Sequence, residues 1–85
     1  MRTIWKYTLA PKVNQVINMP DAEILCVQMQ EDEICIWATV NPDSNPEPHK
    51  IEVFGTGWDM PVGARKYIGT VQAKPFVWHV FLRYD

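Results

Sequence analysis

Ala22-Glu-Ile-Leu-Cys-Val-Gln-Met29 and Ile34-Cys-Ile-Trp-Ala-Thr-Val40 are two apolar, β-branched runs joined by the acidic tip Gln30-Glu-Asp-Glu33. Runs of this length on either side of a short polar link predict a β-hairpin. Pairing Met29 with Ile34 sets Val27 opposite Ile36 and Leu25 opposite Ala38, with Cys26 opposite Trp37 and Cys35 opposite Gln28. The two thiols then share a face as diagonal neighbours about 7 Å apart, whereas a disulfide needs Cβ atoms about 3.5–4.5 Å apart. Both cysteines are therefore expected to be reduced and to act as small buried hydrophobes. The tip carboxylates Glu31, Asp32 and Glu33 keep the turn solvated, and they also offer a face to a basic partner.

Outward from the hairpin, strand signals continue. Thr3-Ile-Trp-Lys-Tyr-Thr-Leu9 is rich in β-branched and aromatic residues and stops at Ala10-Pro11. From Val13 to Met19, Val13, Gln15, Ile17 and Met19 alternate with Asn14, Val16 and Asn18. Asn41-Pro-Asp-Ser-Asn-Pro-Glu-Pro48 is expected to be an exposed loop. A fifth strand is expected from Lys50 to Phe54 or Trp58, with Gly55 and Gly57 marking a bulge or a close approach. Asp59–Lys66 reads as a loop with room for one helical turn. Tyr67–Gln72 and Phe76–Tyr84 complete the set, with a turn at Ala73-Lys-Pro75. The last strand is apolar on both faces, with Phe76, Trp78, Val80, Leu82 and Tyr84 on one and Val77 and Phe81 on the other. Such a strand belongs inside a sandwich or barrel, or beneath a neighbouring subunit. The expectation is an all-β fold, a small sandwich or partly open barrel of about seven mainly antiparallel strands.

At 85 residues the chain is a single domain, residues 1–85. Four Trp, three Tyr and three Phe give so small a core its buried area. The net charge is -2, and Arg2, Lys6, Lys12, Lys50, Arg65, Lys66, Lys74 and Arg83 are scattered. A nucleic-acid interface, which needs clustered cations, is not expected. No apolar run approaches the roughly 20 residues of a membrane helix, and the N-terminal residues lack a signal-like apolar core. A cytoplasmic location without membrane contact is the expectation.

Candidate chemistry is sparse. Gly55-Thr-Gly-Trp58 could let a ligand approach the backbone, Trp58 offers a stacking ring, and Arg65 and Lys66 offer cations near the same loop. Gly55, Thr56, Gly57, Trp58, Arg65 and Lys66 thus form a candidate pocket for a small anionic ligand such as a nucleotide. The competing reading, glycines serving a bulge and Trp58 packing inward, is the one the pattern favours. His79 lacks a partner for base catalysis in sequence, and His49 is expected to be solvated in the proline loop. Cys26, Cys35, His49 and His79 fit no metal-ligand spacing. No catalytic residue, metal or cofactor is expected.

The blocks Thr3–Leu9, Met19–Gln28, Trp37-Ala-Thr-Val-Asn-Pro42, Phe54-Gly-Thr-Gly57, Tyr67-Ile-Gly-Thr70 and Val77-Trp-His-Val-Phe81 resemble, in order and spacing, a family of small uncharacterised bacteriophage and prophage proteins. The resemblance implies a phage origin, a location in the host cytoplasm and a compact β domain, and it implies no catalytic residues. It directs expectation to a non-enzymatic accessory protein that binds a host factor. Sequestration of an anionic signal and a structural role in the virion are the alternatives. The two-sided apolar strand suggests a homodimer.

Overall fold

The computed structural model describes residues 1–85. It has seven strands and no helix: β1 (Thr3–Leu9), β2 (Gln15–Pro20), β3 (Glu23–Gln30), β4 (Glu33–Val40), β5 (Pro46–Gly55), β6 (Arg65–Ala73) and β7 (Phe76–Arg83). The strands form two antiparallel sheets, a three-stranded one ordered β1-β4-β3 and a four-stranded one ordered β2-β5-β7-β6. They pack face to face as a plate of 40 × 31 × 15 Å and do not close into a barrel. The sandwich is the alternative that forms.

Alternation decides which residues fill the space between the sheets. Ile34, Ile36, Ala38 and Val40 of β4 point inward against Ile51 and Val53 of β5 and Val80 of β7, and all belong to one buried cluster. Where the sheets meet along β3 and β6, Gly69 is the reason they can. A Cβ at Gly69 would stand 2.7 Å from the Val27 Cγ1.

The hairpin pairs as its pattern predicts from Met29↔Ile34 through Cys26↔Trp37, and both cysteines are free. Two details differ. A bulge between Ile24 and Cys26 puts Ile24, and not Leu25, opposite Ala38. Both thiols face outward, but Cys35 on the central strand β4 is buried between its neighbours, whereas Cys26 on the outer strand β3 is only half-buried.

The proline segment is also shorter as a loop than expected. β5 already begins at Pro46, pairing Pro46 and Pro48 with Pro20 and Asn18 of β2. β7 joins β5 only from Lys50 onward, so over this stretch β5 has a neighbour on one side. A proline facing the empty side costs no ladder bond. His49, expected in the loop, therefore lies on a strand, half-buried, with Nδ1 2.9 Å from the Glu47 carbonyl. β2 begins two residues later than expected, since the Gln15 side chain clamps the backbone of Ala10 and holds the preceding residues in a turn. The Asp59–Lys66 stretch contains no helix.

β7 is central in its sheet, and its inner face is buried at Trp78 and Val80, while Phe76 at its start stays 55% exposed. The other sheet covers Trp78 and Val80. On the outer face Phe81 lies between Phe54 at 5.9 Å and Tyr67 at 5.4 Å.

Candidate functional site

The outer face of the four-stranded sheet carries the polar chemistry of the molecule. Register places Glu52, Phe54, His79, Phe81 and Arg83 on it, with Arg65, Tyr67 and Thr70 of β6 alongside. The connection from Thr56 to Ala64 folds back over part of this face. Glu52 is only 1% exposed, yet it remains ionised because two guanidiniums hold it. Arg65 Nε donates to Oε1 at 2.8 Å and Arg83 Nη1 to Oε2 at 2.9 Å. Burial pushes the Glu52 carboxyl up, but the hydrogen bonds and charges of Arg65 and Arg83 outweigh it, so the net direction is down from 4.5. Arg65 also donates to the Pro61 carbonyl at 2.6 Å and lies over the Phe54 ring. Arg83 is shared with Asp85.

His79 sits beside this ion cluster with both nitrogens engaged. Thr56 Oγ is 2.7 Å from Nε2, Thr70 Oγ is 3.0 Å from Nδ1, and the Tyr67 hydroxyl continues the chain to Thr70. Sequence reading found no partner for His79 because Thr56 and Thr70 lie 23 and 9 residues away. The Thr70↔His79 pairing was the one signal available, and it depends on a bulge between Tyr67 and Gly69 that the residues do not announce. Both hydrogen bonds of the imidazole are made with threonine hydroxyls.

The six residues singled out in the sequence lie in three separate places. Gly55, Thr56 and Trp58 line one cleft of about 240 Å³ with Pro75, Phe76, Val77 and Trp78. Gly55 has no room for a Cβ, which would stand 2.7 Å from Trp58 Cε2, so the close approach foreseen there is made by the chain's own indole. Gly57 takes φ +89°, a conformation glycine supplies without strain, and the Trp58 N–H closes the turn on the Gly55 carbonyl at 3.1 Å. Trp58 stays 47% exposed, T-shaped to Trp78 at 5.5 Å, and Phe76 stacks on Trp78 at 5.2 Å. Arg65 is outside this group, neutralised by Glu52. Lys66 is outside it as well, lining a separate mouth between the sheets with His49, Leu25, Ile68 and Leu82.

No charged side chain lines the aromatic cleft. Charges of both signs lie nearby. The β6–β7 turn that carries Pro75 and Phe76 begins at Ala73 and Lys74, which share a neighbouring cleft with Met29, Glu31 and Asp32 of the hairpin tip. A larger cleft of about 390 Å³ lies around Asn14, Gln15, Lys50, Glu52, Arg83 and Asp85. Its charges are already paired with one another, Arg83 with Glu52 and Asp85, and Lys50 with the Asp85 carbonyl. No group of three or more His, Cys, Asp or Glu side chains is placed to hold a metal ion.

Fold and cleft together define a small two-sheet β domain with an uncharged aromatic cleft near the acidic β3–β4 tip and Lys74. The chain belongs to the family described as a domain of unknown function, DUF7352, which matches residues 1–85. No curated protein and no solved structure matches it.

Proposed function

We propose that this domain is a non-enzymatic accessory binding protein that engages a protein partner through the aromatic cleft. The observation that carries the reading is the ring cluster Trp58–Trp78–Phe76, with Trp58 and Phe76 about half exposed on a rigid sheet end. Half-exposed Trp and Phe packed on one another present large apolar area at low entropic cost, the usual make-up of an interface anchor. The partner segment has an apolar or proline anchor for the cleft and Lys or Arg beside it for Glu31 and Asp32. Resemblance to small phage proteins makes a host protein the expected partner and the host cytoplasm the expected location.

Capture of an anionic ligand such as a nucleotide is the weaker reading. Its two cations are spent or displaced, Arg65 on Glu52 and Lys66 on another face. A structural role in a virion is the other, weaker reading, since Trp78 and Val80 of β7 are already buried within the chain.

An NMR titration with unstructured peptides bearing a central Pro or Leu flanked by Lys tests the proposal. Resonances of Trp58, Phe76 and Trp78 are expected to shift, the shifts to weaken as salt rises, and Trp58→Ala with Phe76→Ala to abolish them. Silence of these rings across the peptide set, with a nucleotide moving Arg65 and Lys66 instead, would replace the protein partner by an anionic ligand.

A further inference from the structure

Two sheets leave four outer strands, β1 and β3 on one and β2 and β6 on the other. An outer strand displays unpaired backbone groups, and folded proteins blunt such edges with bulges, prolines, short length or charge. β3 is interrupted by a bulge at Ile24/Cys26 and β6 by one at Tyr67/Gly69, and these strands lie against each other where Val27 meets Gly69. β2 has six residues and ends in Pro20. β1 has none of these devices. Its seven residues pair with β4 in unbroken register from Thr3↔Val40 to Leu9↔Ile34, with no proline, glycine or bulge.

The charges near β1 do not guard its edge either. Lys6, its one charged residue, is drawn across the outer face of its own sheet to the Gln30 side-chain carbonyl. Arg2 reaches the same way, to the Thr39 carbonyl at 2.9 Å and the Asp21 carbonyl at 2.8 Å. Ile4 is 57% and Trp5 43% exposed.

We propose that the free edge of β1 pairs antiparallel with β1 of a second copy of this chain, about a two-fold axis at Trp5. The strand is complementary to itself in that register. Trp5 meets the partner's Trp5, Ile4 meets the partner's Lys6 and Thr3 meets the partner's Tyr7, with each pair on one face of the sheet. The alternative register centred on Lys6 opposes two ammonium groups and is disfavoured. The product is a continuous six-stranded sheet, β3-β4-β1 followed by β1-β4-β3 of the partner, and the pairing is isologous as closed two-fold assembly requires. It leaves the aromatic cleft at the other sheet free, so the two proposals stand or fall separately.

Sedimentation equilibrium at about 100 μM, where a micromolar complex is largely formed, is expected to give twice the 9.9 kDa chain mass. Trp5→Asp is expected to return the mass to one chain with an unchanged far-UV spectrum. In a Cys26→Ser, Cys35→Ser background, Trp5→Cys is expected to oxidise to a covalent dimer. Thr8→Cys, far from its own copy in this register, is expected not to. A wild-type protein that stays monomeric leaves the β1 edge to a foreign strand and overturns the proposal. A dimer in which Thr8→Cys cross-links and Trp5→Cys does not overturns it equally, whatever the stability of Trp5→Asp.

Discussion

Two single residues show opposite ways of handling a buried polar group. The Tyr7 hydroxyl is buried against the core without a hydrogen-bond partner, and burial pushes its phenol up from 10.0. An unpaired buried hydroxyl costs about 1–3 kcal/mol, so Tyr7→Phe is expected to raise stability by about 1 kcal/mol in urea unfolding. The folded phenol keeps its proton longer than the unfolded one. Its contribution is therefore intact below about pH 10 and is lost as pH rises above that. Tyr7→Phe should resist alkaline unfolding better than the parent. Glu52 is the satisfied case. Register sets Arg65 directly opposite Arg83, and the carboxylate between them makes that like-charge pair tolerable. Removing one partner of a buried ion cluster costs about 3–5 kcal/mol, and Glu52→Ala is expected to fall in that range. The Glu52 pKa lies below 4.5 in the folded state, so this stability is present above about pH 4.5 and is lost as pH falls through the depressed value. Acid titration of stability should be flatter in Glu52→Gln than in the parent.

The elements owe their shapes to a few backbone decisions. The β3–β4 hairpin was legible because its alternation and its polar tip agree, and the register derived from it holds over five consecutive pairs from Gln30↔Glu33 to Cys26↔Trp37. Its turn nevertheless uses Glu31 at φ +56°, a left-handed conformation that a non-glycine residue tolerates poorly. Glu31→Gly is expected to stabilise the hairpin by about 0.5–1 kcal/mol, read as a higher urea midpoint. Bulges are harder to foresee, since an extra residue changes which side chains face each other without changing composition. Ile24/Cys26 displaced Leu25 from its expected partner, and Tyr67/Gly69 set Thr70 against His79. At Gly69 the close approach of the sheets should make Gly69→Ala cost about 1–3 kcal/mol through overpacking on Val27. Val27→Ala in the same chain should recover part of that loss, and a double-mutant cycle measures the coupling.

At the scale of the whole molecule, the plate has one uncovered face. Cys26 lies half-exposed on the outer surface of the three-stranded sheet, while Cys35 on the central strand is 1% exposed beside the Thr8 hydroxyl. A thiol reagent is expected to label Cys26 in the native protein and Cys35 only as fast as that sheet opens, which mass spectrometry of the labelled chain resolves. A Cys35 that reacts as quickly as Cys26 would mean that β1 or β3 frays far more readily than its pairing implies.

Composition and alternation were enough to determine an all-β fold of about seven strands, a sandwich or a partly open barrel, and two unpaired thiols, because side-chain period is a local property of the chain; the packing of the sheets chose the sandwich. The proline segment shows where that ends, since Pro46 and Pro48 join a strand only because β5 has one neighbour there. Site geometry was likewise beyond the sequence. Arg65 and Lys66 are adjacent in the chain, yet strand alternation sends them to opposite faces, one to Glu52 and the other to the mouth between the sheets. Phe76 and Trp78 join Trp58, eighteen or more residues earlier, only because β5 and β7 pair with Gly55 opposite Trp78. Which groups meet depends on strand order and bulges, and those follow from how the two sheets pack, not from any stretch of residues read alone.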